Sequence, residues 1–244
     1  MKIIPLGVWG GFPKANEATS SFLLEKDGFT CLLDCGSGVL ASLQNHVEVL
    51  DLDAVIITHY HFDHIADIGP LQFAMLIQNQ LHNQQKTLPI YGHTIDERGF
   101  ESLTFKDFTS GVAIKEDKAQ QIGPWKVSFC ETNHPVYCLA VKFEADDTSV
   151  VFTADTGWQE SLIDFAKGAK VLVSESNLYN SMVGKIQGHM SGEQAGNLAQ
   201  QAEVEQLILT HLPHHGNINE LVREAKHHFD GNVELAQKGK EIRV

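Results

Sequence analysis

Residues 57–64 read Ile57-Thr58-His59-Tyr60-His61-Phe62-Asp63-His64, and they follow directly on the apolar run Ala54-Val55-Ile56. A run of that kind predicts a buried strand. What comes after it is three imidazoles and a carboxylate within six positions. On an extended chain, residues two apart point the same way. His59 and His61 can therefore grip one cation through neutral ring nitrogens. Asp63 and His64 sit where the chain must turn, so their side chains can diverge toward a second cation beside the first. Carboxylate and imidazole donors suit zinc or another first-row metal. Without a cation, burying so many titratable groups costs on the order of several kcal/mol each.

The rest of the composition limits the setting. The chain has 244 residues, 43% hydrophobic and 20% charged, an ordinary globular balance. Its 18 basic and 31 acidic residues give a net charge of -13, which repels nucleic-acid phosphates. Thirteen histidines point to metal binding or proton transfer. Cys31, Cys35, Cys130 and Cys138 lie in apolar, strand-like contexts without Cys-x-x-Cys spacing, and read as small buried thiols in a reducing compartment. The apolar piece after Met1-Lys2 breaks at Pro5 and Gly7, shorter than a signal-peptide core. A cytoplasmic protein with no membrane partner is expected.

Short β-branched runs predict strands at 2–7, 21–25, 29–33, 54–58, 88–91, 126–130, 139–143, 149–153, 170–173, 206–210 and 233–236. Amphipathic segments lie between many of them. Ser191 with Gln194 makes a capping box ahead of Ala195, Leu198, Ala199 and Ala202, and Asn217 with Glu220 resembles a second. The alternation predicts mixed α/β structure with helices covering sheet faces. No linker-like stretch interrupts the chain, so one domain over residues 1–244 is expected. A faint repeat matches AVIITH (54–59) with QLILTH (206–211), and LLDCG (32–36) with FTADTG (152–157).

The His-x-His-x-Asp-His spacing resembles the signature of the metallo-β-lactamase-fold hydrolases. That resemblance implies a four-layer αβ/βα sandwich holding two divalent cations, zinc first and manganese as the alternative. It also asks for a further histidine, a bridging aspartate and a last histidine, each at a strand end. His134 in TNHP, Asp155 in FTADTG and His211 in LTHL follow apolar runs in that order. By resemblance, His59, His61 and His134 hold one metal, Asp63, His64 and His211 hold the second, and Asp155 bridges them. Asp63 would also orient the attacking hydroxide, and Asp34 would brace the histidine loop.

Three further stretches are similar to the branch of tRNA 3′-processing endonucleases and small phosphodiesterases. They are GHMSGEQA (188–195), LVSESN (172–177), and the N-terminal GGFPKANEATSSFLLE (10–25) with LLDCGSG (32–38). The resemblance implies that Glu175 pairs with His189. A carboxylate there favours the protonated imidazole, a donor for a leaving oxygen. The chain lacks a long Gly- and Lys/Arg-rich insertion of the kind that grips tRNA. It looks closer to compact bacillus-type hydrolases, which implies small phosphodiester substrates such as cyclic nucleotides and, by analogy, a homodimer. A tRNA 3′ endonuclease and a thioester or lactone hydrolase on the same metals are the alternatives. His93, His214 and His215 are expected near the pocket rim or outside it. His46, His82, His227 and His228 read as surface residues.

Overall fold

The computed structural model describes residues 1–115 and 117–244. Among them the first half of the chain forms strands β1 (Lys2–Gly7), β2 (Ser21–Lys26), β3 (Phe29–Leu33), β4 (Ala54–Ile56), β5 (Leu88–Gly92) and β6 (Thr109–Ala113). The second half forms β7 (Gln120–Ile122), β8 (Trp125–Glu131), β9 (Leu139–Ala145), β10 (Thr148–Phe152), β11 (Val171–Glu175), β12 (Gln206–Thr210), β13 (Asn232–Leu235) and the short β14 (Ile242–Arg243). Helices between them are α1 (Val39–Leu43), α2 (Phe62–Ile65), α3 (Ile68–His82), α4 (Glu97–Glu101), α5 (Ser161–Ala166), α6 (Gly192–Gln201) and α7 (Asn219–Lys226). Every strand expected from the sequence is present. Strands β6, β7 and β14 were not expected.

Two compact units result. One comprises residues 1–115, 122–124 and 238–243, and the other, among the described residues, 117–121, 125–237 and 244. The first carries a sheet ordered β14-β1-β2-β3-β4-β5-β6, and the second sheet runs β13-β12-β11-β10-β9-β8-β7. In the first, β1, β2 and β3 pair antiparallel, whereas β3, β4, β5 and β6 pair parallel. In the second, β8, β9 and β10 pair antiparallel, whereas β10, β11, β12 and β13 pair parallel. The parallel centres explain why β4 and β11 lack alternation. All three residues of β4 and all five of β11 are buried, as expected of strands covered on both faces.

The first unit packs Leu6, Leu23, Leu32, Val55, Ile57, Leu71 and Leu88 into one core. In the second, Trp125 meets Phe143 edge to face, and Phe143 meets Phe152 the same way, an arrangement favoured by ring quadrupoles. Helix α6 packs on α7, β11 and β12, and its Ser191–Gln194 capping box is formed in both directions. The second expected box is not. Helix α7 begins at Asn219 with Ile218 as its cap and no side-chain cap bond. Asn217 Oδ1 instead accepts the Asn219 N–H at 3.2 Å, a local turn that competes with capping.

The repeat is present with one change. Strand β4, in AVIITH, occupies the place that β11 takes in the second sheet. The strand in QLILTH is β12, the counterpart of β5. Cys31, Cys35 and Cys138 are buried free thiols, and Cys130 is partly exposed. Burial raises the Cys31 and Cys35 thiols above their ordinary range. No helix of the described residues is long and apolar enough to cross a membrane.

Candidate metal centre

In the first unit the loop after β4 is locked from below. Asp34, just past β3, accepts the Thr58 N–H at 2.8 Å and the Thr58 hydroxyl at 3.0 Å. Its Oδ2 also lies 2.7 Å from His64 Nδ1. A carboxylate here only accepts, so His64 Nδ1 carries the proton and Nε2 carries the lone pair. The Thr58 hydroxyl proton is used on Asp34, so its oxygen accepts from His59 Nδ1 at 3.0 Å. His59 Nε2 therefore presents a lone pair, 3.1 Å from His61 Nδ1. His64 Nε2 lies 3.5 Å from Asp63 Oδ2, and that oxygen also receives the Gly11 N–H at 2.8 Å.

In the second unit the candidate side chains come from separate strand ends and, for His189, from the turn just before α6. His134 Nδ1 donates to the Gly188 carbonyl at 2.9 Å, which again leaves the lone pair on Nε2. Gly188 has φ 79°, and a Cβ there would lie 2.7 Å from His134 Nδ1 and 2.4 Å from Pro135. Only glycine permits that backbone at that distance. Asp155, buried after β10, places Oδ2 3.3 Å from His211 Nε2 and 4.0 Å from His134 Nε2. His211 has φ 52° directly after β12, and Ala154 beside Asp155 also has φ 52°. Such strained non-glycine residues gather at functional sites.

Glu175 ends β11 fully buried. Its Oε1 accepts from Thr156 N–H at 3.0 Å and from His189 Nδ1 at 2.8 Å, and Oε2 accepts from Asn177 N–H at 3.0 Å. The His189 ring stacks on His211, with centroids 5.3 Å apart and planes 16° from parallel, and meets His134 edge-on at 5.4 Å. Glu175, His189 and His211 thus form one cluster.

Each sequence-predicted site residue is accounted for. His59, His61, Asp63 and His64 come together in the first unit, and His134, Asp155, Glu175, His189 and His211 in the second. The structure adds Thr58 and Gly188, which fix two ring tautomers. The Asp34 brace is present. His93 is buried against Tyr60, their rings 4.6 Å apart. His214 is half-buried, and His46, His82, His215, His227 and His228 are exposed.

The donors fit divalent first-row cations. Two donor atoms bonded at about 2.0–2.1 Å to a tetrahedral ion sit about 3.3 Å apart, and the His59–His61 and Asp155–His211 distances of 3.1 Å and 3.3 Å lie close to that value. Hydrogen bonds on the opposite ring nitrogens orient such ligands.

Two mixed sheets carrying histidines and aspartates at their strand ends define a metallo-β-lactamase-fold, metal-dependent hydrolase. The comparisons agree. The chain belongs to the family described as Anti-Pycsar protein Apyc1, whose model matches residues 1–185. It is similar to the Bacillus subtilis "Probable metallo-hydrolase YhfI", 46% identical over 98% of both chains. The crystal structure of YhfI, a metallo-beta-lactamase fold protein, superposes with a TM-score of 0.94 at 44% identity, covering 99% of this chain and 98% of that one. Human short-form tRNase Z (TM-score 0.76, 18% identity, 100% and 99% coverage) and a diphosphatase of the PhnP family (0.77, 15%, 100% and 97%) share the fold. The expected membership of the metallo-β-lactamase-fold hydrolases therefore holds.

Proposed function

We propose that this protein hydrolyses phosphodiesters on two metals, with small cyclic nucleotides as substrates. His59, His61 and His134 would hold one divalent cation, Asp63, His64 and His211 would hold the other, and Asp155 would serve both. Zinc suits these donors best, with manganese next. When bound, the pair supplies charge neutralisation at the phosphoryl oxygens and water of lowered pKa. Asp63 orients the attacking water and takes its proton. The new bond joins water oxygen to phosphorus, and the bond from phosphorus to the sugar oxygen breaks. His189 gives that departing oxygen a proton from Nε2, while Glu175 retains Nδ1–H and steadies the ring. A cyclic diester keeps its leaving group tethered, and the product is a nucleoside monophosphate.

The observation that carries this reading is the buried Glu175 carboxylate 2.8 Å from His189 Nδ1, with the imidazole stacked over His211. An alkoxide leaving from phosphorus needs a proton, and a thiolate leaving from a thioester does not. A net charge of -13 favours small substrates over RNA, whose binding draws on many basic contacts. Action in the cytoplasm as a homodimer belongs to the same proposal.

The test is a screen of metal-loaded protein against 3′,5′-cyclic nucleotides, a precursor tRNA, a thioester and a lactone. Cyclic nucleotides are expected to give monophosphates. Faster cleavage of the tRNA would promote the endonuclease alternative. Turnover confined to carbonyl substrates would refute phosphodiester chemistry.

A further inference from the structure

The ligand loop of the first unit contains two large side chains that take no part in the metal chemistry, Phe62, which is exposed, and Tyr60, which is not. Tyr60 stands between His59 and His61, and the two-residue period of an extended chain sends it the opposite way. It enters a socket built by the end of β5 and by helix α4. Its hydroxyl donates to the His93 carbonyl at 2.7 Å, and its ring leans on the His93 ring at 4.6 Å. Two glycines shape the socket. A Cβ on Gly99 would lie 2.5 Å from the ring carbons Cγ and Cδ2, and a Cβ on Gly92 would lie 2.5 Å from the hydroxyl oxygen. Neither glycine has a positive φ. Their backbones are open to any residue, so what requires glycine there is the volume of the Tyr60 side chain, joined at Gly92 by Leu103 Cδ1 at 2.7 Å.

The consequence reaches the ligands. The loop is fastened to β5 once at its start, where Ile57 N–H donates to the Tyr91 carbonyl at 2.8 Å. Tyr60 fastens it a second time, in the middle of the ligand run. From this we infer that Tyr60, with its Gly92–Gly99 socket, is a positioning residue that holds His59 and His61 in their ligating orientation and so sets metal affinity. The loop is pre-ordered by the socket instead of being ordered by the ion. Partners behind metal ligands of this kind typically change affinity by about 10–100-fold.

The experiment uses the full chain stripped of metal. Zinc affinity is measured by competition with a chromophoric chelator for wild type, Tyr60→Phe, Tyr60→Ala and Gly99→Ala. The absorption of the cobalt-substituted proteins and the melting of the apo forms are recorded alongside. Tyr60→Ala and Gly99→Ala are expected to weaken zinc binding about 10–100-fold and to alter the cobalt d–d bands, while their apo proteins melt lower than wild type but stay folded at the temperature of the binding assay. Tyr60→Phe keeps the ring and is expected to fall between them and wild type. Wild-type affinity in Tyr60→Ala overturns the inference, as does a loss matched by unfolding of the apo protein. If Tyr60→Ala does not fold, Tyr60→Phe decides, and unchanged affinity and cobalt spectrum there overturn it. The inference rests on His59 and His61 being ligands. Wild-type protein that takes up no metal would sink that assignment, whereas a metal-replete wild type with unaltered variants sinks only the role of Tyr60.

Discussion

The ends of β3 and β10 are the same place in two sheets, and they carry swapped chemistry. Leu33 pairs with Ile56 across one parallel pair, and Phe152 pairs with Val173 across the other. The next residues are Asp34 and Thr153, whose N–H groups bond the Ile56 and Val173 carbonyls at 2.9 Å and 3.0 Å. Each side chain then accepts an N–H two residues beyond that carbonyl. Asp34 takes the Thr58 N–H at 2.8 Å, and Thr153 takes the Glu175 N–H at 3.0 Å. Carboxylate faces hydroxyl in one unit, and hydroxyl faces carboxylate in the other. In both, the carboxylate holds an imidazole through Nδ1, His64 at 2.7 Å and His189 at 2.8 Å. The His64 side chain is 2% exposed, and that of His189 is 17% exposed. One backbone device thus presents two imidazoles, and access to solvent separates the one proposed as a ligand from the one proposed as a proton donor.

The sharpest way to break that comparison is to delete each imidazole. His64→Ala is expected to lose metal and with it nearly all turnover. His189→Ala is expected to keep its metal, measured by elemental analysis, and to lose about 10²–10⁴-fold in kcat on cyclic nucleotides. Substrates with a p-nitrophenolate leaving group, which departs unprotonated, should lose far less. Equal loss on both leaving groups would show that His189 is no proton donor.

Deleting the carboxylates should give a smaller and still divergent result. Asp34→Asn leaves His64 without its anionic partner, and metal affinity is expected to fall about 10–100-fold. Glu175→Gln should leave affinity near wild type and lower kcat only for poor leaving groups, by about tenfold. If Glu175→Gln instead releases metal, the second carboxylate braces a ligand just as the first does.

How much of this was legible in the sequence follows from what each residue needs nearby. The HYHFDH loop is contiguous, so its candidate ligands announce themselves by spacing. His134, Asp155 and His211 follow separate strands and His189 precedes α6, and only a resemblance joined them in advance. The match of LLDCG with FTADTG found the right pair of strand ends and aligned the wrong residues. It set Asp34 beside Asp155, whereas the strand registers set Asp34 beside Thr153. Identity of residue type misled because the device conserves hydrogen-bond geometry and swaps the side chains. Strands β6 and β7, TSGVA and QQI, carry too few apolar residues to signal themselves. They form through pairing with their neighbours, a contribution invisible to local propensity. The Gly92–Gly99 socket was equally hidden, since neither glycine sits in a turn that composition would mark.

The smallest expected effect separates the two helix starts that looked alike in sequence. Ser191 caps α6 two residues after His189, is fully buried, and accepts the Gln194 N–H at 3.2 Å, while Gln194 Oε1 returns to the Ser191 N–H at 3.1 Å. Removing the hydroxyl leaves a helix-terminal N–H unsatisfied inside the protein. Ser191→Ala should therefore lower stability by about 0.5–2 kcal/mol, a drop in melting temperature of roughly 1–8 °C for a chain of this size. Asn217 is exposed and stands outside α7, and its side chain serves a single local turn bond at 3.2 Å. Asn217→Ala should stay within about 0.5 kcal/mol of wild type. Thermal melts of the two variants under one buffer decide the matter. A common shift would mean that Asn217 caps α7 in solution after all, whereas a difference confined to Ser191 ties α6, and the histidine that precedes it, to the reciprocal bonds of its first turn.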